Sequence, residues 1–209
     1  LTTLNIENAW LIGHSLGGTI ALWGALHCRD RVQGVICINS GGGIYLQEEF
    51  EQFRRFGTQL VRFRPAWLRW IPYLDQGFCR LNVARPLERH WGQQRLLDFL
   101  RADPHAAVGA LLDSTTEAEV HQLPQVVAQL PQPTYFIGGD RDPIMAPQYV
   151  RHLASFHPSF QDIGCNWLEL SPCGHFAMLE HTATVAQYIH THIQGTLNPP
   201  PLERSALDR

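Results

Sequence analysis

The chain has 209 residues, 44% of them apolar and 17% charged, with a formal net charge of −3. That length suits one large domain, or a core with a smaller insertion, and the composition excludes a disordered chain. A strongly basic balance is missing, which excludes a nucleic-acid footprint over the whole molecule, and no apolar run reaches the roughly 18 residues a membrane span needs.

Every one of the 16 basic residues is Arg. Cys28, Cys37, Cys79, Cys165 and Cys173 are odd in number and scattered. Such usage argues against a disulfide framework and for a reducing, cytoplasmic compartment. Leu1 to Glu7 carry no basic n-region and no long apolar run, so no signal peptide is expected there.

In chain order, Ala9 to Ile12 is an apolar run of strand length ended by Gly13, and Leu16 to Cys28 has helical apolar spacing. Val32 to Asn39 is a second strand candidate, rich in β-branched residues and closed by Ser40 and three glycines. A strand, a helix and a strand with short links make a βαβ unit, hence a parallel sheet. From Ile44 to about Leu130 strand signals vanish. Phe50, Phe53, Phe56, Leu60 and Phe63 recur at three to four residues, the mark of an amphipathic helix. Further helices are expected over Gln93–Arg101 and Pro104–Val120, so residues 44–130 read as a helical insertion between core segments 1–43 and 131–197. Strands resume at Thr134–Ile137 and Asn166–Leu170, with helices over Pro147–Phe156 and Met178–Ile193. The Pro-rich tail, 198–209, is expected to be disordered.

Gly13-His14-Ser15-Leu16-Gly17-Gly18 falls between the first strand and the first helix. A GxSxG sequence in that context predicts a sharp turn that lifts the Ser15 hydroxyl above the sheet edge, with glycines admitting close backbone approach. Ser15 would then sit at a helix N-terminus, where N–H groups and the dipole favour developing negative charge. The Leu16 N–H is the expected oxyanion donor. A serine hydroxyl also needs a base, and the base an orienting acid. Loops at the carboxyl ends of parallel strands converge, and two later loops carry Asp140 with Asp142, and His175. Cys173, His175, His181, His190 and His192 raise the question of a metal. No CxxC or HExxH frames them, and His190 and His192 are two apart, so no metal and no cofactor are expected.

With GHSLGG at 13–18, GGDRDPI at 138–144 and CGHFAMLE at 173–180, the chain resembles the α/β-hydrolase-fold serine hydrolases. The resemblance covers nearly everything except the tail. It implies a mostly parallel sheet with flanking helices, the middle insertion being the family's variable helical cap, and a triad of Ser15, Asp142 and His175. Asp142 is preferred to Asp140 because the family's acid directly precedes a Pro, here Pro143. Some relatives take the acid from the loop after the preceding strand, but Asn39-Ser40-Gly41 offers no carboxylate. His14 is expected to support the turn or line the pocket. The family has several strands before the elbow, with a second oxyanion donor among them. Ser15 is preceded by only 14 residues, so this chain is expected to be the carboxyl-terminal portion of a longer hydrolase, truncated at its N-terminal strands.

The implied activity is cleavage of a carboxylic ester or related acyl substrate through an acyl-enzyme. Thioesterase, lipase-like, carbon–carbon hydrolase and acyltransferase chemistries use the same triad. The alternative is a ligand-binding or inactive member of the fold. Residues 51–101 hold ten Arg against four acids, interleaved with aromatics from Arg62 to Leu74. The expectation is that these aromatics pack the insertion onto the core while the Arg side chains reach solvent. The other reading is contact with an anionic membrane surface. The aromatic content also suits a mainly apolar small-molecule substrate pocket.

Overall fold

The computed structural model describes residues 1–41, 47–114, 116–163 and 166–197. Cys165, part of the glycine run after Ser40 and the tail from Asn198 lie outside the described residues. A four-stranded parallel sheet forms the centre, ordered β1 (Ala9–His14), β2 (Val32–Ile38), β3 (Thr134–Gly139), β4 (Trp167–Leu170). The first crossover is α1 (Leu16–His27). Between β2 and β3 come α2 (Gln47–Arg62), a 3₁₀ turn (Ala66–Trp70), α3 (Leu74–Arg80), α4 (Arg89–Arg101), α5 (Pro104–Ser114) and α6 (Glu117–Ala128). After β3 come α7 (Pro147–Ala154) and α8 (Pro158–Ile163), and after β4 come α9 (Ala177–Glu180) and α10 (Thr182–Leu197).

Strand alternation sends the sheet's side chains into two cores. Val35, Cys37 and Phe136 face α1, α6 and α7, where Leu22, Val126, Val127, Val150 and Leu153 are buried. Ile36, Ile38 and Ile137 face the other way, against Ala177 of α9 and Val185 of α10. Near-continuous apolar strands are what a sheet covered on both faces requires. This architecture matches the expected α/β class.

Several elements differ from the sequence reading. The helix expected over Pro104–Val120 is two helices, because Thr116 caps a new one: its side chain accepts from the Glu119 N–H at 3.2 Å. That second helix, α6, packs with α1 and α7 in the first core, through Leu123, Val126 and Val127. α3, α8 and the 3₁₀ turn were not anticipated, being six or seven residues or shorter. The helix expected from Met178 breaks at His181, which separates α9 from α10.

The aromatics of the insertion are not packed as expected. Phe63, Trp67 and Trp70 are 79%, 57% and 73% exposed. For Phe63, the residue directly after α2, the cause is the orientation of that helix. Its Gly57 lies against Leu111 of α5 and Arg54 donates to the Leu112 carbonyl at 2.7 Å, so the side carrying Phe56, Leu60 and Phe63 points outward.

Candidate active site

The loops after all four strands meet at one place, and each contributes a side chain. After β1, Ser15 sits at φ 53° and ψ −125°, a backbone conformation that costs a non-glycine residue energy and is held only by its surroundings. The Ser15 N–H donates to the Ile38 carbonyl at 3.0 Å, and the Ser15 carbonyl accepts from Gly18 at 3.0 Å. A Cβ on Gly13 would stand 2.1 Å from the Gly17 carbonyl oxygen, so the turn closes only over glycine there. Leu16 opens α1, where first-turn backbone donors have no intrahelical acceptor.

After β3, the structure separates the two candidate acids. Asp142 is buried and its carboxylate lies 2.9 and 3.1 Å from His175 Nδ1. Asp140 points elsewhere, accepting from Ser171 Oγ at 2.7 Å and from the Cys173 N–H at 2.8 Å. Asp142 Oδ1 also accepts the N–H groups of Ile144 and Met145 at 2.8 and 2.9 Å. Burial pushes the Asp142 carboxyl up, but the His175 bond and charge and these two backbone donors outweigh it and hold the group below the usual carboxylate range. The Asp142 carboxylate is therefore set to be ionised and to accept the His175 Nδ1–H, a bond that leaves Nε2 as the acceptor of the ring.

After β4, His175 is anchored through its main chain. The His175 N–H donates to the Asn82 carbonyl at 2.7 Å, and His14 Nε2 donates to the His175 carbonyl at 2.7 Å. His14 and His175 rings lie 4.8 Å apart. His14 thus joins the turn at Ser15 to the loop that carries His175. Burial lowers its pKa to about 4, keeping it neutral. Among the described residues no hydrogen bond joins Ser15 Oγ to His175. The structure brings Asp142 and His175 into contact and ties the turn that carries Ser15 to the His175 loop through His14.

Two residues of this cluster were missed by sequence reasoning. Asn39, fully buried at the end of β2 in a left-handed conformation (φ 46°), donates to Asp142 Oδ2 at 2.9 Å and to the Gly174 carbonyl at 3.0 Å. Its Oδ1 accepts from the Ala177 N–H at 3.2 Å, so one carboxamide ties three loops together. Glu180 accepts from the N–H groups of Gly174, Ala84 and Arg85 at 2.8, 2.7 and 2.9 Å. A position directly after a strand that points at the acid loop was the one available signal for Asn39. For Glu180 there was the carboxylate ending CGHFAMLE. Cys173, beside the base, is no nucleophile: burial first, then the neighbouring carboxylates, push its thiol up to about 12. Among the described residues no group of His, Cys, Asp and Glu is gathered that would hold a metal.

A model of the alpha/beta hydrolase fold family matches residues 1–182. The chain belongs to that family. It is 31% identical over 144 residues to a 2-succinyl-6-hydroxy-2,4-cyclohexadiene-1-carboxylate synthase of Yersinia pestis, a match over 66% of this chain. The chain spans about half the length of the curated relatives it matches, 50% in each of the first two. Among solved structures it is similar to a thermophilic esterase from Thermogutta terrifontis (22% identity, TM-score 0.66, 93% of this chain and 68% of that one). It is also similar to the enol-lactonase of Burkholderia xenovorans (18% identity, TM-score 0.64, 92% and 68% covered). At these identities the structural likenesses concern the fold.

Proposed function

We propose that the protein is a serine hydrolase that cleaves a carboxylic ester or related acyl compound by way of an acyl-enzyme. The observation that carries this reading is the buried Asp142–His175 pair beside a serine held in a strained strand-to-helix turn. Ser15 Oγ attacks the carbonyl carbon and His175 Nε2 takes its proton. Asp142 keeps the imidazole in the productive tautomer and stabilises the imidazolium. The Leu16 N–H, at the positive end of α1, receives the developing oxyanion. His175 then returns the proton to the leaving group, and water releases the acyl group by the same steps in reverse roles.

In this reading α2 to α5 form a cap. Its segment from Asn82 to Arg85 lies against the base loop, where the Gly174 α-carbon faces the Asn82 carbonyl, and Arg95 sits 4.0 Å over the Phe176 ring. The substrate is a small molecule with a mainly apolar acyl or aryl portion. The four described cysteines are free, which supports the cytoplasm as its compartment. No helix among the described residues is long and apolar enough to cross a membrane.

The alternative, a ligand-binding or inactive member of the fold, rests on the missing Ser15–His175 hydrogen bond. A fluorophosphonate probe separates the two, and it reports on the serine whichever overall reaction the synthase-like relative suggests. The expected outcome is covalent labelling that disappears in Ser15→Ala. A folded wild-type protein that resists the probe overturns the enzyme reading.

A further inference from the structure

We propose that the outward face of residues 56–73 is a docking surface for a lipid bilayer carrying anionic headgroups. The inference concerns a surface and does not rest on the hydrolase reading.

The first observation is a stripe of exposed apolar side chains along the carboxyl-terminal half of α2 and the residue after it. Phe56, Leu60 and Phe63 fall at i, i+4 and i+7, one stripe of the helix, and all three are exposed. The side that packs carries Arg54, Gly57 and the half-buried Val61. A helix of a soluble domain ordinarily does the reverse. In the 3₁₀ turn that follows, Trp67 and Trp70 are three residues apart and so share a side, both exposed. Tyr73 follows, 69% exposed. These six large apolar or aromatic side chains, exposed within 18 residues, mark an interaction site, and Trp and Tyr are the side chains that favour the interfacial zone of a bilayer.

The second observation is charge. No acidic residue occurs between Glu51 and Asp75, while five Arg do. Two of them are used internally. Arg54 holds the Leu112 carbonyl, and Arg64 holds the carbonyls of Phe99 and Ala102. Arg55, Arg62 and Arg69 are exposed beside the apolar residues, Arg69 lying 4.7 Å over the Trp70 ring. Arg55 has only an exposed i,i+4 pair with Glu51 at 3.3 Å, too solvated to cancel its charge. Asp75 is buried and held by Arg89 at 3.0 Å, so it does not offset the face. A second copy docked through the same patch would set Arg against Arg across a two-fold axis. Anionic headgroups complement the arginines, while the aromatic side chains enter the boundary below them.

The test uses the protein in its full natural length with vesicles of phosphatidylcholine, alone or with about one-third phosphatidylglycerol. Sedimentation is expected to show binding to the anionic vesicles that weakens as salt rises, with a blue shift of tryptophan emission. Replacing Arg55, Arg62 and Arg69 together by Gln should lower partitioning about a hundredfold, each arginine near an anionic surface being worth about 1 kcal/mol. Trp67→Ala with Trp70→Ala should lower it about tenfold or more on either vesicle and leave thermal unfolding unchanged. No preference for anionic vesicles, or binding that survives both sets of substitutions, overturns the proposal. So does self-association, abolished by the tryptophan substitutions, in a protein that leaves the vesicles unbound.

Discussion

The strand-end loops and the stretch 56–73 of the insertion dispose of their side chains in opposite ways. Where the four loops meet, polar and ionisable groups are buried and joined: Asp142 receives four donors, Asn39 joins three loops, and His14 spans from the elbow to the base loop. In the insertion, Phe63 and Trp70 stand in solvent while arginines reach inward to hold helix carbonyls. A buried hydrogen-bond network has one geometry, because each unmade bond is costly. An apolar patch in water has no such constraint and is defined by what it meets. The first region is built to hold atoms in place, and the second to be covered.

Substitutions should expose this contrast, beginning with the largest effect. Asp142→Asn keeps the shape but offers His175 the wrong partner, and kcat on an activated ester should fall about 10⁴-fold with the fold intact. A fall of less than tenfold would remove Asp142 from the triad. Asn39→Ala leaves Asp142 Oδ2 short of a donor and strips partners from the Gly174 carbonyl and the Ala177 N–H; denaturant unfolding should register a loss of about 4 kcal/mol. Stability unchanged by that substitution would mean that the carboxamide does not hold the loops.

The third test is pH. His14 titrates near 4 in the folded protein against 6.5 unfolded, so between those values the unfolded chain binds more protons. Its contribution is fully present above pH 6.5 and is lost as pH falls toward 4, amounting to about 3 kcal/mol. His14→Gln, which keeps a donor at similar reach, should flatten that part of the stability curve, and an unflattened curve would count against a buried neutral imidazole. The smallest effect belongs to the insertion. Phe63→Ser or Trp70→Ser should change unfolding free energy by no more than about 0.5 kcal/mol. A loss of several kcal/mol would show that these side chains pack in solution and would erase the contrast.

What the sequence made legible is local. The elbow could be read because Gly13, Ser15 and Gly17 lie between an apolar run and a helical one. The family resemblance favours Asp142 over Asp140 through the proline after it, and it is Asp142 that lies against His175. The break between α5 and α6 was written in Thr116 and Glu119 and went unread. Asn39 was passed over because its partners lie 103, 135 and 138 residues away, a relation that no periodicity carries. The period of Phe56, Leu60 and Phe63 was correctly seen as helical, yet a period does not say which side of a helix finds a partner. Burial was assumed from apolar character, and the packing of Gly57 on Leu111 decided otherwise.

Glu180 leads to a point about motion. One carboxylate grips the main chain of Ala84 and Arg85 with one oxygen and that of Gly174 with the other, while the next residue, His175, is held by the Asn82 carbonyl. The imidazole is therefore suspended from the 82–85 segment of the insertion as much as from the sheet. A displacement of that segment would carry the main chain of Gly174 and His175 with it. Under the proposed hydrolase reading, opening of the insertion and disarming of the base would then be a single movement.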